Sequence, residues 1–206
     1  MREILASALR VSLVTWVLCG LAYPLAVTAL AQWLMPWQAN GSLEMDTQGQ
    51  AIGSRLIGQQ WEGPEWFHGR PSATTVLDPK DATKTIAAPY SADNSAGSNL
   101  GPASKALFKR LTADHKSLEE AQPELAGRML PADMLTTSAS GLDPDISPAN
   151  AAVQASRVAR VRGVPVSEIQ ALIARQMTGR SLGIFGEPRV NVFDLNMALR
   201  QAYERQ

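Results

Sequence analysis

Cysteine and histidine are scarce: 206 residues hold one cysteine, Cys19, and two histidines. A lone cysteine excludes a disulfide within the chain and any multi-cysteine metal centre. Surplus charge is missing too, since 19 basic residues balance 19 acidic ones. Without a basic excess or a lysine/arginine stripe, the composition argues against nucleic acid as a partner. The phosphate-loop pattern Gly-x-x-x-x-Gly-Lys-Ser/Thr does not occur. Gly97 and Gly101 lack the lysine that would join backbone amides on a phosphate. The Gly-x-Ser-x-Gly elbow of serine hydrolases is likewise missing. No internal repeat is evident, and no heptad pattern persists long enough for a coiled coil.

The most informative absence is local. After Arg10 no formally charged residue appears until Glu44. Within that gap, "VSLVTWVLCGLAYPLAVTALA" (11–31) runs 21 residues with only weakly polar interruptions. At about 1.5 Å per residue it makes roughly 31 Å of helix, close to one hydrocarbon core. Trp33 and Trp37 follow, where an interfacial aromatic belt belongs. Pro24 deletes one backbone donor, which a membrane helix tolerates at a kink. The run is too long for the apolar core of a signal peptide, although "ALA" at 29–31 resembles a cleavage site. It is also long for a buried core helix. The reading is a retained anchor, with cleavage after Ala31 and release of a free binding module as the alternative. The residues before Cys19, "WVL", are too large for a lipoprotein signal. Arg2 and Arg10 precede the span and the next basic residue is Arg55. The positive-inside rule therefore keeps the N-terminus cytoplasmic and sends the rest of the chain across the membrane. The expected division is 1–36 as tail and transmembrane anchor and 37–206 as an extracytoplasmic domain, single-pass in a bacterial inner membrane.

Beyond the span, residues 38–50 read as a polar connector with a short strand near its end, and 51–61 as strand and turn. From Gly63 to Tyr90 four prolines and two glycines leave no sustained helical period, with one short strand expected around 74–77. Ser104 can cap a helix with Leu107, Leu111 and the adjacent Phe108 on its apolar side, and Pro123 ends it. Ser147-Pro148 is a favoured cap and first-turn pair, predicting a helix to Arg162 that exits through Gly163. Ser167 and Gln170 fit a capping box, with Ile169, Leu172, Ile173 and Met177 at helical spacing as far as Gly179. "RVNVF" suggests a strand. "DLNMALRQAYERQ" suggests a last helix burying Leu195, Leu199 and Ala202. The predicted class is α/β or α+β: one N-terminal transmembrane helix plus one mixed extracytoplasmic domain.

The most chemical-looking stretch is "TTSASGLDPDISPANAAVQASRVARVRG" (136–163). Serine catalysis there requires a base within reach of the nucleophile. A membrane-anchored hydrolase, the alternative function, would set Ser138, Ser140 or Asp143 beside His68. His115 reads as an exposed helix residue, and His68, in "WFHGRPSA", as packed among aromatics and bonded to backbone. Asp143 and Asp145 alternate like calcium ligands, but that loop's glycine and distal glutamate are missing. A local account is simpler: Asp143 closes an Asx-turn, and Asp145 faces the positive end of the helix that begins after Ser147. Arg157, Arg160 and Arg162 form either a solvated helix end or a face for an anion or partner. Arg70 can bridge loops or a subunit boundary, while Trp66 and Phe67 fit a core.

Five segments in order, "GSRLIGQQW" (53–61), "WFHGRPSA" (66–73), "AGSNLGPAS" (96–104), "LTTSASGLDPDISPANAAVQASRVARVRG" (135–163) and "LGIFGEPRVNVFDLNMAL" (182–199), carry a resemblance. Over nearly its whole length the chain resembles the smaller single-span chain of the bacterial high-affinity potassium-transporting P-type ATPase, the KdpC family. The resemblance implies an assembly with three partners: a channel-like subunit that binds potassium, a P-type ATPase subunit that hydrolyses ATP, and a very small membrane subunit. It implies an accessory role for this chain, stabilising assembly and modulating potassium entry, with ATP, magnesium and potassium used by the complex. No catalytic, cofactor or metal residue is expected in this chain. A contribution to nucleotide binding, proposed for the family, sits poorly with a domain outside the cytoplasmic ATP pool. Structural or subunit-contact roles are expected for His68, Arg70, Asn99, Gly101, Ser140, Asp143, Arg157, Arg160 and Asn191. Asn99 and Gly101 are expected to take unusual backbone angles.

Overall fold

The computed structural model describes residues 1–46 and 48–203. It divides into two compact units, Met1–Ile52 and Gly53–Gln206.

In the first unit, α1 (Arg2–Val17) passes through a π-helical turn (Leu18–Ala22) into α2 (Tyr23–Leu34). The whole stretch Arg2–Leu34 is 33 residues of continuous helix with none of its residues buried, long and apolar enough to cross a membrane. The π turn lies just ahead of Pro24, whose ring would otherwise meet the carbonyl four residues back. Widening the helix there takes up the clash and the lost donor without breaking the rod. A short α3 (Pro36–Ala39) follows. Leu43–Met45 (β1) and Ala51–Ser54 (β2) then form a two-stranded hairpin, placing the strands expected in 38–50 and 51–61.

The second unit is α+β, with its remaining strands paired antiparallel in one group of two and one of three. β3 (Thr75–Asp78) matches the strand expected near 74–77, but its partner β4 (Asp81–Ala87) falls where sequence showed only loop. "DATKTIA" carries no alternation because six of its seven residues are exposed.

The core lies around α5 (Pro148–Arg162), α6 (Val166–Gln176), α7 (Val192–Tyr203) and the small sheet of β5 (Asp145–Ile146), β7 (Arg189–Asn191) and β6 (Met177–Thr178). Val190 of the central strand pairs with Ile146 on one side and Met177 on the other, and is fully buried. Ala151, Ala155, Val158 and Ala159 follow an i, i+4, i+7, i+8 spacing along α5. They pack with Ile169 and Ile173 of α6, Leu195 and Leu199 of α7, and Phe67. Burying each large apolar side chain contributes roughly 1.5–3 kcal/mol before entropy is charged against it.

α5 is capped as its sequence dictates: Ser147 Oγ accepts from Asn150 N–H, and Gly163 leaves the helix left-handed at φ 67°. Ser104 caps α4 (Lys105–Ala121) by accepting from Leu107 N–H, and Pro123 opens a 3₁₀ turn beyond it. Elsewhere the local signals misled. Pro165, not Ser167, precedes α6, because a proline fits the N-terminal boundary and leaves Ser167 inside the first turn. Met177 belongs to β6 and is exposed, since pairing with Val190 takes over before Gly179. Ala202 is exposed, and Phe108 is 74% exposed on α4. His115 is half-buried rather than exposed, with Nδ1 3.6 Å from Glu119 Oε2 one turn on.

Candidate subunit-contact site

The segment 63–74 has no regular structure, so its backbone groups must find partners outside a ladder. Two buried amide side chains supply them. Asn196 of α7 accepts from Phe67 N–H and donates to Phe67 C=O, both at 2.9 Å. Gln154 of α5 does the same for His68, at 2.8 and 2.9 Å. Each amide imitates a neighbouring strand, which lets Phe67 enter the core at 0% exposure without orphaning its backbone.

Gln154 also joins a polar row along α5. Its Nε2 donates to Asn150 Oδ1 at 2.8 Å, and Arg157 donates to its Oε1 at 2.8 Å. Arg157 also donates to the Pro64 carbonyl. Asn150 in turn donates to Asp133 at 3.0 Å, and Asp133 accepts from both the amide and the hydroxyl of Ser147. Asp133 is therefore the carboxylate at the positive end of α5. Asp145 instead pairs with Arg189 at 3.0 Å across the β5–β7 ladder, because strand pairing turns it away from the helix end. Burial raises the pKa of Asp145, opposed by the Arg189 charge.

The arginine face expected to be solvated or anion-binding is divided. Arg157 is 4% exposed and bonds to a carbonyl and an amide. Burial lowers its pKa, with Glu124 and Glu65 pulling the other way. Its position on the row 150, 154, 157 turns it inward, because the irregular 63–68 segment needs donors there. Arg160 is on the surface, 2.9 Å from Glu124. Arg162 donates to Glu65 C=O and lies 4.7 Å from the Trp66 ring centroid, a cation–π distance.

Arg70 does bridge loops. It pairs with Asp143 at 3.0 Å and donates to Thr137 C=O at 3.2 Å, tying 66–73 to 136–143. Asp143 uses its other oxygen on Asp145 N–H at 3.0 Å, the Asx-turn read from sequence. Tyr90 donates to Arg70 C=O at 2.6 Å. Burial, aided by the Asp143 charge, pushes the Tyr90 hydroxyl up to about 12. A Cβ on Gly69 would lie 2.2 Å from that hydroxyl.

The small residues of "AGSN" and "SASG" are explained by backbone meeting backbone. Ala96 N–H donates to Ser140 C=O at 2.9 Å. A Cβ on Gly97 would lie 2.6 Å from Ala139 O, and one on Gly141 (φ +70°) 2.5 Å from Ala96 O. Asn99 has the expected positive φ, 48°. Gly101 does not, and a Cβ there would meet nothing within 4 Å. The constrained glycine of the segment is Gly97, at the close approach, rather than Gly101, which sits in the open turn before α4. Asn191 caps α7 by accepting from Asp194 N–H at 3.1 Å and donates to Arg55 C=O at 3.0 Å.

The residues a hydrolase would use are otherwise occupied. His68 Nε2 is 2.9 Å from Gly63 O, Ser138 Oγ accepts from Gly141 N–H at 2.8 Å, and Ser140 Oγ from Leu142 N–H at 3.1 Å. Burial lowers the His68 pKa, and Arg157 adds to this, so its neutral form is favoured.

His68, Arg70, Asp143 and Arg157 thus belong to one loop-stitching system, with Ser140 accepting from the neighbouring loop. Asn99, Gly101, Arg160 and Asn191 lie in other surroundings. Asp133, Asn150, Gln154 and Asn196 are the residues that sequence reading missed. The signal that could have found them was the i, i+4, i+7 row of Asn150, Gln154 and Arg157 on an otherwise alanine- and valine-rich helix.

Comparison with known proteins gives a match at the level of the whole chain. The family described as "KdpC: K+-transporting ATPase, c chain" matches residues 5–201. A "Potassium-transporting ATPase KdpC subunit" from Rhodopseudomonas palustris is 52% identical over 204 residues, covering 99% of this chain and 98% of its own. Proteins of the same description from Bradyrhizobium diazoefficiens and Methylorubrum extorquens are 52% identical over 202 residues and 55% identical over 180. They cover 98% and 87% of this chain, and 98% and 88% of their own. The chain belongs to the KdpC family, the c chain of K+-transporting ATPases.

Proposed function

We propose that this chain is a membrane-anchored, non-catalytic accessory subunit of a potassium-transporting ATPase complex. Its domain lies on the extracytoplasmic side of the inner membrane, stabilises the assembly and modulates potassium entry. ATP hydrolysis, with its magnesium requirement, belongs to the P-type partner. Potassium belongs to the channel-like partner, and a very small membrane subunit completes the complex. The charge-free run 11–31, with Arg2 and Arg10 ahead of it, supports the orientation.

One observation carries the non-catalytic reading. The polar side chains that look reactive in the sequence are committed to holding loops: His68 to Gly63, Arg70 to Asp143 and Thr137, Arg157 to Pro64 and Gln154. Loops fixed in this way offer a shaped surface to a neighbour rather than a nucleophile to a substrate.

The test is deletion of this chain followed by purification of the remaining subunits and measurement of ATP-driven potassium uptake. The expected result is a poorly assembled complex with reduced high-affinity uptake, restored by adding the chain back. Undiminished assembly and uptake would refute the proposal.

A further inference from the structure

β6 and β7 are the two arms of a hairpin, and residues 179–188 are its loop. The base of the loop is fixed. Val190 of β7 is fully buried, and Arg180 Nη2 lies 2.8 and 2.7 Å from the two carboxylate oxygens of Glu187. Inside that clamp Ser181 N–H donates to Phe185 C=O at 2.8 Å, and Phe185 N–H donates back to Ser181 C=O at 2.9 Å. Gly183 and Gly186 take left-handed angles, φ 75° and 77°, which the reversal requires.

So tight a turn leaves its large side chains outside. Leu182, Ile184 and Phe185 are 88%, 71% and 64% exposed. Leu182 also holds φ 53°, a costly angle for a bulky residue. With so little of that side chain buried, packing within the chain does not repay the cost. Single apolar residues on a surface mean little, but three within four positions on a clamped loop form a rigid convex patch. Its shape is set before any partner arrives, so docking on it spends little on ordering.

Charge decides what covers the patch. Past Phe185 the loop forms one wall of a cleft of about 530 Å³, through Gly186 and Glu187. Four carboxylates, Asp133, Asp143, Asp145 and Glu187, line this cleft against two arginines, Arg70 and Arg189. Arg70 is committed to Asp143, Arg189 to Asp145 and Arg180 to Glu187. Asp133 spends its oxygens on neutral donors, the amide and hydroxyl of Ser147 and the side-chain amide of Asn150. A negative excess therefore stands beside the apolar patch. An anionic bilayer repels such a flank, since apolar segments that enter a membrane surface carry lysine and arginine beside them. Self-association through the loop would bring two copies of the same negative flank together. A protein surface with an apolar hollow and a basic side chain at its rim complements both features.

We propose that the β6–β7 loop is a docking knob for another chain of the ATPase complex. Leu182, Ile184 and Phe185 enter an apolar hollow on that chain, and a lysine or arginine at the rim of the hollow faces Asp133. This rests on the reading of the protein as a subunit of that complex.

The test has two arms, both on the full chain expressed with the other subunits. In the first, a benzophenone amino acid replaces Phe185 and intact membranes are illuminated. The expected product is an adduct with another chain of the complex, mapped to apolar residues that have a lysine or arginine beside them. A phospholipid adduct, an adduct with a second copy of this chain, or no adduct would overturn the proposal. In the second arm, Ile184→Ser with Phe185→Ser is compared with wild type for release from the purified complex under a chase of unlabelled chain. Release should be at least about tenfold faster, as for loss of an interface anchor. The isolated variant should melt as wild type does, because both side chains are exposed. Release within about twofold of wild type would overturn the docking role alone. A wild-type chain that never copurifies with the ATPase would overturn the subunit reading as well. If the double variant fails to fold, the crosslinking arm decides by itself.

Discussion

Replacing Gln154 with leucine keeps most of its volume and removes its hydrogen bonds. In the native chain that amide serves His68 N–H, His68 C=O, Asn150 Oδ1 and one Arg157 donor, and it is 3% exposed. The two backbone groups of His68 have no alternative ladder. At roughly 1–3 kcal/mol for each buried group left unpaired, they alone predict a loss of about 4 kcal/mol. For a chain of this size about 1 kcal/mol shifts Tm by roughly 2–4 °C, so Gln154→Leu should lower Tm by about 8–16 °C. The assay is thermal unfolding of the purified full-length chain in detergent, followed by tryptophan fluorescence. Trp61 and Trp66 lie 5.2 Å apart at the edge of the affected core and report on it. Arg157→Met should couple to it in a double-mutant cycle, because both side chains serve the same segment. A Gln154→Leu chain melting within about 3 °C of wild type would refute the idea that this amide stands in for a strand. An additive cycle would refute the shared network.

Other outcomes follow from the same geometry. His68 has a pKa below its ordinary value, so the fold favours the neutral ring. Its contribution to stability is fully present above about pH 6.5 and is lost as pH falls from there toward the depressed pKa. The difference between wild type and His68→Gln in denaturant melts should shrink over that window, and a flat difference would contradict the assignment. Gly97→Ala and Gly141→Ala should each cost well over 1 kcal/mol, whereas Gly101→Ala should stay within about 0.5 kcal/mol, as chemical denaturation would show. Equal effects at Gly97 and Gly101 would remove the close-approach explanation. The helix around Gly20, Ala22 and Pro24 presents small residues beside a π turn. Photo-crosslinkers at residues 16–27 are expected to reach a partner helix, and finding only lipid adducts would count against that.

What the sequence revealed and what it hid divide along a physical line. Ser147, Pro148 and Gly163 specify α5 through short-range hydrogen bonding and backbone angles, so its limits were legible to the residue. The Asx-turn at Asp143 was legible for the same reason. Arg157 was not, because turning an arginine inward depends on carbonyls 93 positions away that need a donor. Asp145 was misplaced by the same kind of blindness: it lies close to the helix start in sequence, but the strand β7 claims it for Arg189, and Asp133 takes its place. β4 left no periodic trace because both its faces meet solvent. The family resemblance includes the 96–104 and 135–163 segments, whose backbones meet in this structure. It could not tell that Gly97 is the constrained glycine and Gly101 the free one, since that depends on where the 138–141 backbone passes.

The proposed role depends most on a folded domain that stands outside the membrane, away from cytoplasmic ATP. The direct measurement is thiol labelling at one engineered position, Phe108→Cys, in a chain whose only native cysteine has been removed by Cys19→Ser. Phe108 is 74% exposed, so a cysteine there is open to reagent in the free chain. In intact spheroplasts a membrane-impermeant maleimide should label it without permeabilisation. Labelling only after the membrane is opened would place the domain in the cytoplasm and contradict that role.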